Sequence, residues 1–277
     1  MPVLTAEDRQ FWEENGYVVV HNAVPPENLK AAERAVWDFL EMQSDDPRSW
    51  YPDPPRGIMA EMYQHQALWD NRQYPRVHQA FAEIWGTEKL WVSIDRASMN
   101  PPELPDWKYP GILHWDTNLE PPIEFWVQGV LYLTDTAANQ GAFSCVPGFH
   151  RRLEAWLKDL PAEANPREQD LESLGARPIP GAAGDLIIWH SALPHGSSPN
   201  TATHPRLAQY ITMFPSQGYD EVARNRRVKA WRDRLAGLVI EVTGKKTWEL
   251  RNEKEHQSGQ TAELSPLGRK LLGLDSW

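Results

Sequence analysis

Cysteine is almost missing from this 277-residue chain: Cys145 stands alone. One thiol allows no intrachain disulfide and excludes Cys-rich zinc or iron–sulfur sites, so a reducing cytoplasm is the default expectation. Long apolar runs are missing as well. No stretch approaches the length of a membrane span, and Met1-Pro2-Val3-Leu4-Thr5 lacks the basic and apolar regions of a signal peptide. Positive charge is in deficit. The net charge of −10 and the pI near 5.4 argue against a nucleic-acid partner, which would leave a basic footprint. What is abundant is tryptophan (14) and proline (24), a composition that suits short strands joined by shaped loops.

The remaining pattern is helices first, then strands. Thr5 caps a helix to Asn15, with Asp8 at the capping-box position and Gly16 at its end. Tyr17–Val20 is a β-branched strand. Pro25-Pro26 opens a second helix with Leu29, Ala32, Val36, Phe39 and Leu40 on one face, and a third runs from Pro75 to Trp85. Strands are expected over 90–99, 125–133, 142–146, 185–190 and 206–214, with turns at Asn139-Gln140-Gly141 and Pro147-Gly148. From Gln217 the pattern becomes helical and basic, ending in a short helix near Ser265–Leu272. No internal repeat or linker splits the chain. We expect one domain over 1–277: helices over 5–86, a β core over about 88–215, and a helical segment and tail over 217–277. Such an order is mainly β, a sandwich or barrel braced by helices.

The chemistry begins at Gly111-Ile112-Leu113-His114-Trp115-Asp116. On a strand, residues two apart share a side, so His114 and Asp116 can aim an imidazole and a carboxylate at one point. That is two-thirds of the two-His-one-carboxylate triad that holds non-haem Fe(II). About one His-x-acid pair is expected by chance in a chain with nine histidines and 38 acidic residues, so the context decides. Further along, Leu186–His190 leads to His195-Gly196-Ser197 and Asn200, then to Arg206 at the start of the next strand. Arg206 offers a planar fork for a carboxylate. His190 competes with His195 for the third ligand position.

Taken in order, His114-x-Asp116, Gly141, Pro147-Gly148-Phe149-His150, His195-Gly196-Ser197, Asn200 and Arg206 resemble the phytanoyl-CoA dioxygenase family of Fe(II)/2-oxoglutarate oxygenases. The likeness extends over roughly 5–215 and includes Phe11…Asn15-Gly16-Tyr17. It implies a double-stranded β-helix (jelly-roll, cupin-like) core, with Fe(II), 2-oxoglutarate and O₂ as cofactors. Carried residue by residue, it makes His114, Asp116 and His195 the iron ligands. Arg206 would bind the far carboxylate of 2-oxoglutarate with help from Ser197. The following Gly-Ser favours His195 over His190. Gln128 is a further candidate for the cosubstrate. Arg96, Asn100, Trp115, Tyr132, Tyr63 and His190 are candidates for the substrate pocket.

The expected reaction is hydroxylation or desaturation of an unactivated C–H of a small metabolite or natural-product intermediate. The alternatives are an acyl-CoA hydroxylase of the same family, a cupin-like metal-dependent isomerase or hydrolase, and an idle jelly roll used for binding. Three segments are expected to cover the site: Ser44–Arg72, Asn100–Pro110 and Gln217–Arg234. Their aromatic residues and cations, Arg56, Arg72 and the basic cluster Arg224, Arg226, Arg227, Lys229, Arg232 and Arg234, suggest a substrate with a ring or chain and an acidic group. The basic cluster also reads as a solvated helix face. The sequence leaves the oligomeric state open.

Overall fold

The computed structural model describes residues 2–51, 58–109, 111–236 and 253–277. Arg56 and Pro110, expected in covers of the site, and residues 237–252 of the C-terminal segment lie outside them. The helices are α1 (Ala6–Asn15), α2 (Pro26–Leu40), α3 (Gln66–Arg72), α4 (Pro75–Trp85), α5 (Leu153–Asp159), α6 (Glu221–Arg232), α7 (Glu253–Ser258) and α8 (Pro266–Leu272). The strands are β1 (Tyr17–Val20), β2 (Met59–Ala60), β3 (Leu90–Val92), β4 (Ala97–Asn100), β5 (Val127–Tyr132), β6 (Phe143–Cys145), β7 (Arg177–Pro178), β8 (Leu186–His190), β9 (His195–Ser197), β10 (Arg206–Tyr210) and β11 (Met213–Pro215).

Six strands form a large antiparallel sheet in the order β1-β8-β5-β10-β4-β2; a smaller sheet runs β7-β6-β9, and β3 pairs with β11. The architecture is a jelly-roll core, mainly β, with flanking helices. Strict alternation along the large sheet explains the layering. Val18, Val20, Val127, Leu131, Leu186, Ile188, Leu207, Ala97 and Met99 belong to the core that includes helix residues Leu29, Val36, Leu68 and Phe81. Their neighbours Val130, Tyr132, Ile187, Trp189 and Ala208 belong to a second core with Phe143, Cys145, Phe149 and Trp115. One face of the sheet therefore meets helices and the other forms the inside of the sandwich.

Local chemistry sets the boundaries of the helices. Thr5 and Asp8 form a reciprocal capping box on α1, and Gly16 closes it in the left-handed conformation. Pro26 and Pro75 stand in the first turns of α2 and α4.

Several expectations need correction. The alternation over 90–99 is divided: β3 and β4 lie in different sheets, and 93–96 connect them. The stretch 206–214 likewise splits into β10 and β11. Helix α3 was not anticipated, because it buries Asn71 and Arg72 beside Leu68 and Trp69 and so carries no apolar stripe. In α6, Arg227 is not on a solvated face. It is 1% exposed, donates to the carbonyls of Val92, Leu271 and Leu272, and lies over the rings of Trp91 and Phe214. Arg224 donates to the carbonyls of Gly273 and Leu274. These arginines tie α6 to the C-terminal residues, and Trp277 donates to the Leu90 carbonyl and stacks on His78.

Candidate iron and cosubstrate site

Segment 111–116 is not a strand; a single backbone pairing holds it. The His114 N–H donates to the His195 carbonyl and the His195 N–H to the His114 carbonyl, both at 2.9 Å. This adds the segment to β9 at the edge of the small sheet. Close approach demands glycine. A Cβ at Gly111 would stand 1.9 Å from the Ser197 carbonyl oxygen, and its φ of +59° already disfavours other residues.

Each imidazole is oriented by its own chain. The Nδ1 of His114 lies 3.1 Å from the Ile112 carbonyl, and the Nδ1 of His195 lies 3.1 Å from the Leu193 carbonyl. A carbonyl can only accept, so Nδ1 carries the proton and the Nε2 lone pair faces the site. Asp116 lies between the rings: Oδ1 is 3.5 Å from His114 Nε2, and Oδ2 is 3.3 Å from His195 Nε2. Ligand atoms of the three residues all fall within 4.8 Å of one another. Two neutral imidazoles and one carboxylate are the donor set suited to Fe(II). Burial and the neighbouring His195 lower the His114 pKa. Burial raises that of Asp116, but its close contacts with the His195 imidazole and the Gln128 amide outweigh it and hold the carboxyl well below its ordinary range. Both directions leave the residues as a metal requires them: neutral imidazole, ionised carboxylate.

Arg206 is 2% exposed at the start of β10. Its Nε donates to the Gly141 carbonyl (2.9 Å), Nη1 to Ser98 Oγ (2.6 Å) and Nη2 to Ser197 Oγ (3.1 Å). All three partners are neutral, and among the described residues no carboxylate pairs with it. A buried charge is ordinarily paired, and among the described residues this one has no anionic partner. Arg206 and the His114–Asp116–His195 group line one cavity of about 230 Å³, together with Ser197, Gln128, Tyr132 and Arg96.

The other candidates are less central. Gln128 lines the cavity and donates from Nε2 to Asp116 Oδ2 at 2.9 Å. Tyr132 presents its ring to the cavity, but its hydroxyl donates to the Ile179 carbonyl and accepts from the Phe143 N–H. Arg96 is engaged with Glu61 and Tyr63. Tyr63 stands behind Arg96, its hydroxyl on Glu61, outside the cavity lining. Trp115 points into the sandwich and donates to the Ala192 carbonyl. Asn100 is buried beside Gly141. His190 accepts from the Ala192 N–H and packs against Phe125 and His150. Neither Trp115, Asn100 nor His190 lines the cavity, so the structure does not bring them to the substrate pocket. Sequence reasoning missed Ser98, whose signal was its place on the inner face of β4, and also Asp95, Ile112 and Thr212 in the cavity wall; Met59 and Tyr109, also in that wall, belong to the segments expected to cover the site.

The sequence model of the family described as phytanoyl-CoA dioxygenase matches residues 12–208. The chain belongs to the phytanoyl-CoA dioxygenase family. A Dictyostelium discoideum protein bearing that family's name is 24% identical over 275 residues, covering 79% of this chain and 78% of its own. Among solved structures, the non-haem α-ketoglutarate-dependent carbocyclase SnoK of nogalamycin biosynthesis aligns with a TM-score of 0.55 and 20% identity, over 77% of this chain and 85% of its own. The epimerase SnoN, solved with Fe³⁺, α-ketoglutarate and nogalamycin RO, aligns at 0.56 and 17% identity, over 76% and 83%. This member of the phytanoyl-CoA dioxygenase family is thus an Fe(II)- and 2-oxoglutarate-dependent dioxygenase. Among the described residues no helix is long and apolar enough to cross a membrane.

Proposed function

We propose that the enzyme hydroxylates or desaturates an unactivated C–H of a small metabolite or natural-product intermediate, with His114, Asp116 and His195 holding Fe(II) and Arg206 and Ser197 holding the far carboxylate of 2-oxoglutarate. The observation that carries the assignment of residues is the buried Arg206 guanidinium, bonded only to neutral groups and sharing a cavity with the three ligand candidates. When bound, iron, 2-oxoglutarate and O₂ supply the oxidising chemistry and release succinate and CO₂. The chain's own contribution is placement. Ile112 and Leu193 carbonyls fix the two imidazoles, Gln128 fixes Asp116, and Gly141, Ser98 and Ser197 fix the guanidinium plane. Tyr132, Phe143 and Trp189 form an apolar wall that limits water.

A free metabolite is preferred to a coenzyme A thioester because the described arginines near the cavity are already engaged. Arg96 bonds Glu61 and Tyr63, and Arg72 bonds the carbonyls of Tyr63 and Asp95. This differs from the expected acidic substrate, for which Arg56, Arg72 and the basic cluster over 224–234 were to be the anchors. SnoK and SnoN, both of nogalamycin biosynthesis, support the natural-product reading. The test is substrate-stimulated succinate formation across acyl-CoAs, free acids, amino acids, alcohols and cyclic natural products. Stimulation by acyl-CoA thioesters alone overturns the substrate assignment. His114→Ala, Asp116→Ala and His195→Ala should each lose bound Fe(II), and His190→Ala should retain it; the opposite result for the histidines overturns the ligand assignment.

A further inference from the structure

The cavity wall contains a second carboxyl, Asp95, in the connection between β3 and β4. Among the described residues its side chain takes part in one hydrogen bond: Oδ1 accepts from the Arg96 backbone N–H at 2.8 Å. Oδ2 has no partner among them. The hydrogen bonds of the arginines around it go to other groups. Arg96 Nη1 donates to Glu61 and Tyr63, and Arg72 reaches the backbone carbonyl of Asp95 rather than its carboxyl. Arg206 is held by Gly141, Ser98 and Ser197. Asp95 is half-buried, and among the described residues a single backbone N–H is the one donor to its carboxyl. Burial accordingly raises its pKa, opposed by the charges of Arg96 and Arg72.

In the cavity wall the Arg206 guanidinium is bonded on all three nitrogens and Arg96 Nη1 is held by Glu61 and Tyr63, while Asp95 Oδ2 is an acceptor without a hydrogen bond among the described residues. We infer that Asp95 Oδ2 is the seat of a hydrogen-bond donor on the substrate, an O–H or N–H group, so that the enzyme takes an alcohol or an amine rather than a carboxylic acid. This rests on the reading of the cavity as the active site and narrows its substrate class. Exposed Ile112, at 72%, and Met59 on the same cavity wall offer apolar contact to the remainder of such a molecule.

The experiment uses anaerobic enzyme loaded with Fe(II) and 2-oxoglutarate, and calorimetric titration with four ring probes: cyclohexanol, cyclohexylammonium, methoxycyclohexane and cyclohexanecarboxylate. Wild type should bind the alcohol or the ammonium at least tenfold more tightly than the ether and the carboxylate, and whichever of the two is tighter identifies the donor. Asp95→Asn keeps an acceptor for the Arg96 N–H but turns the free position into a donor. It should shrink that preference below threefold and leave the 2-oxoglutarate charge-transfer band in place. Equal binding of donor and non-donor probes by wild type, no binding of the donor probes at millimolar concentration, or an unaltered ranking in Asp95→Asn overturns the inference. The wild-type ranking requires no variant to fold. A wild-type enzyme without the charge-transfer band would instead defeat the active-site reading.

Discussion

Arg206→Met separates the cosubstrate site from the metal site. Methionine keeps the aliphatic stem and removes the guanidinium. In the loaded enzyme this strands a buried carboxylate of 2-oxoglutarate, and truncating one partner of such a pair costs about 2–5 kcal/mol. At about 1.4 kcal/mol per decade, even the lower figure weakens 2-oxoglutarate binding roughly 30-fold. The unloaded protein should suffer less. The Gly141 carbonyl, Ser98 Oγ and Ser197 Oγ each lose a donor, but a buried cation lacking an anionic partner also disappears, and these contributions oppose one another. The thermal midpoint should thus move by only a few degrees. The assay is an anaerobic titration of the Fe(II) enzyme with 2-oxoglutarate, following the visible charge-transfer absorption, with bound iron measured in parallel. Unchanged 2-oxoglutarate affinity, or loss of iron together with the cosubstrate, refutes the division of roles.

Three further outcomes follow from the geometry. Burial, together with the nearby His150, holds His190 down to about 4. Between its unfolded value near 6.5 and pH 4 the unfolded chain binds a proton that the folded chain refuses, so acidification over that window removes stability, by roughly 3 kcal/mol at most; urea midpoints at pH 7 and 4.5 should fall less in His190→Gln than in wild type. Burial also pushes the Cys145 thiol up to about 12, so a thiol reagent at pH 8 should label the protein only after denaturation. Gly111→Ala would press a Cβ against the Ser197 carbonyl at a positive φ; it should lower bound Fe(II), and full iron content in a folded variant would show that segment 111–116 can shift without cost.

Much of this was legible from pattern. The β-branched run Tyr17–Val20 and the apolar run Leu186–His190, caps at Thr5 and Gly16, and prolines at 26 and 75 are local signals, and the structure follows them. The approach of His114, Asp116 and His195 was legible only through their order along the chain, because β-sheet pairing over eighty residues leaves no local trace. What stayed hidden was polar burial. Helix α3 carries Asn71 and Arg72 inward, and Arg227 satisfies three backbone carbonyls. In composition these residues look solvated, and only the carbonyls of distant segments, Tyr63, Asp95, Val92 and Leu272, reveal why they are not. Asp95 gave no signal either, since its meaning depends on which arginines are already occupied.

The reciprocal backbone pair between His114 and His195 also bears on how such an enzyme could change. Two of the three ligand candidates form one rung of a sheet, and each ring is steered by a carbonyl two residues before it. Neither ring relies on another side chain for its direction. Insertions in the connection 118–126 would leave that rung untouched, whereas a one-residue slip of β9 against segment 111–116 would destroy it. Loop remodelling and metal chemistry are therefore separable, and new substrate walls can be grafted around the rung without rebuilding it.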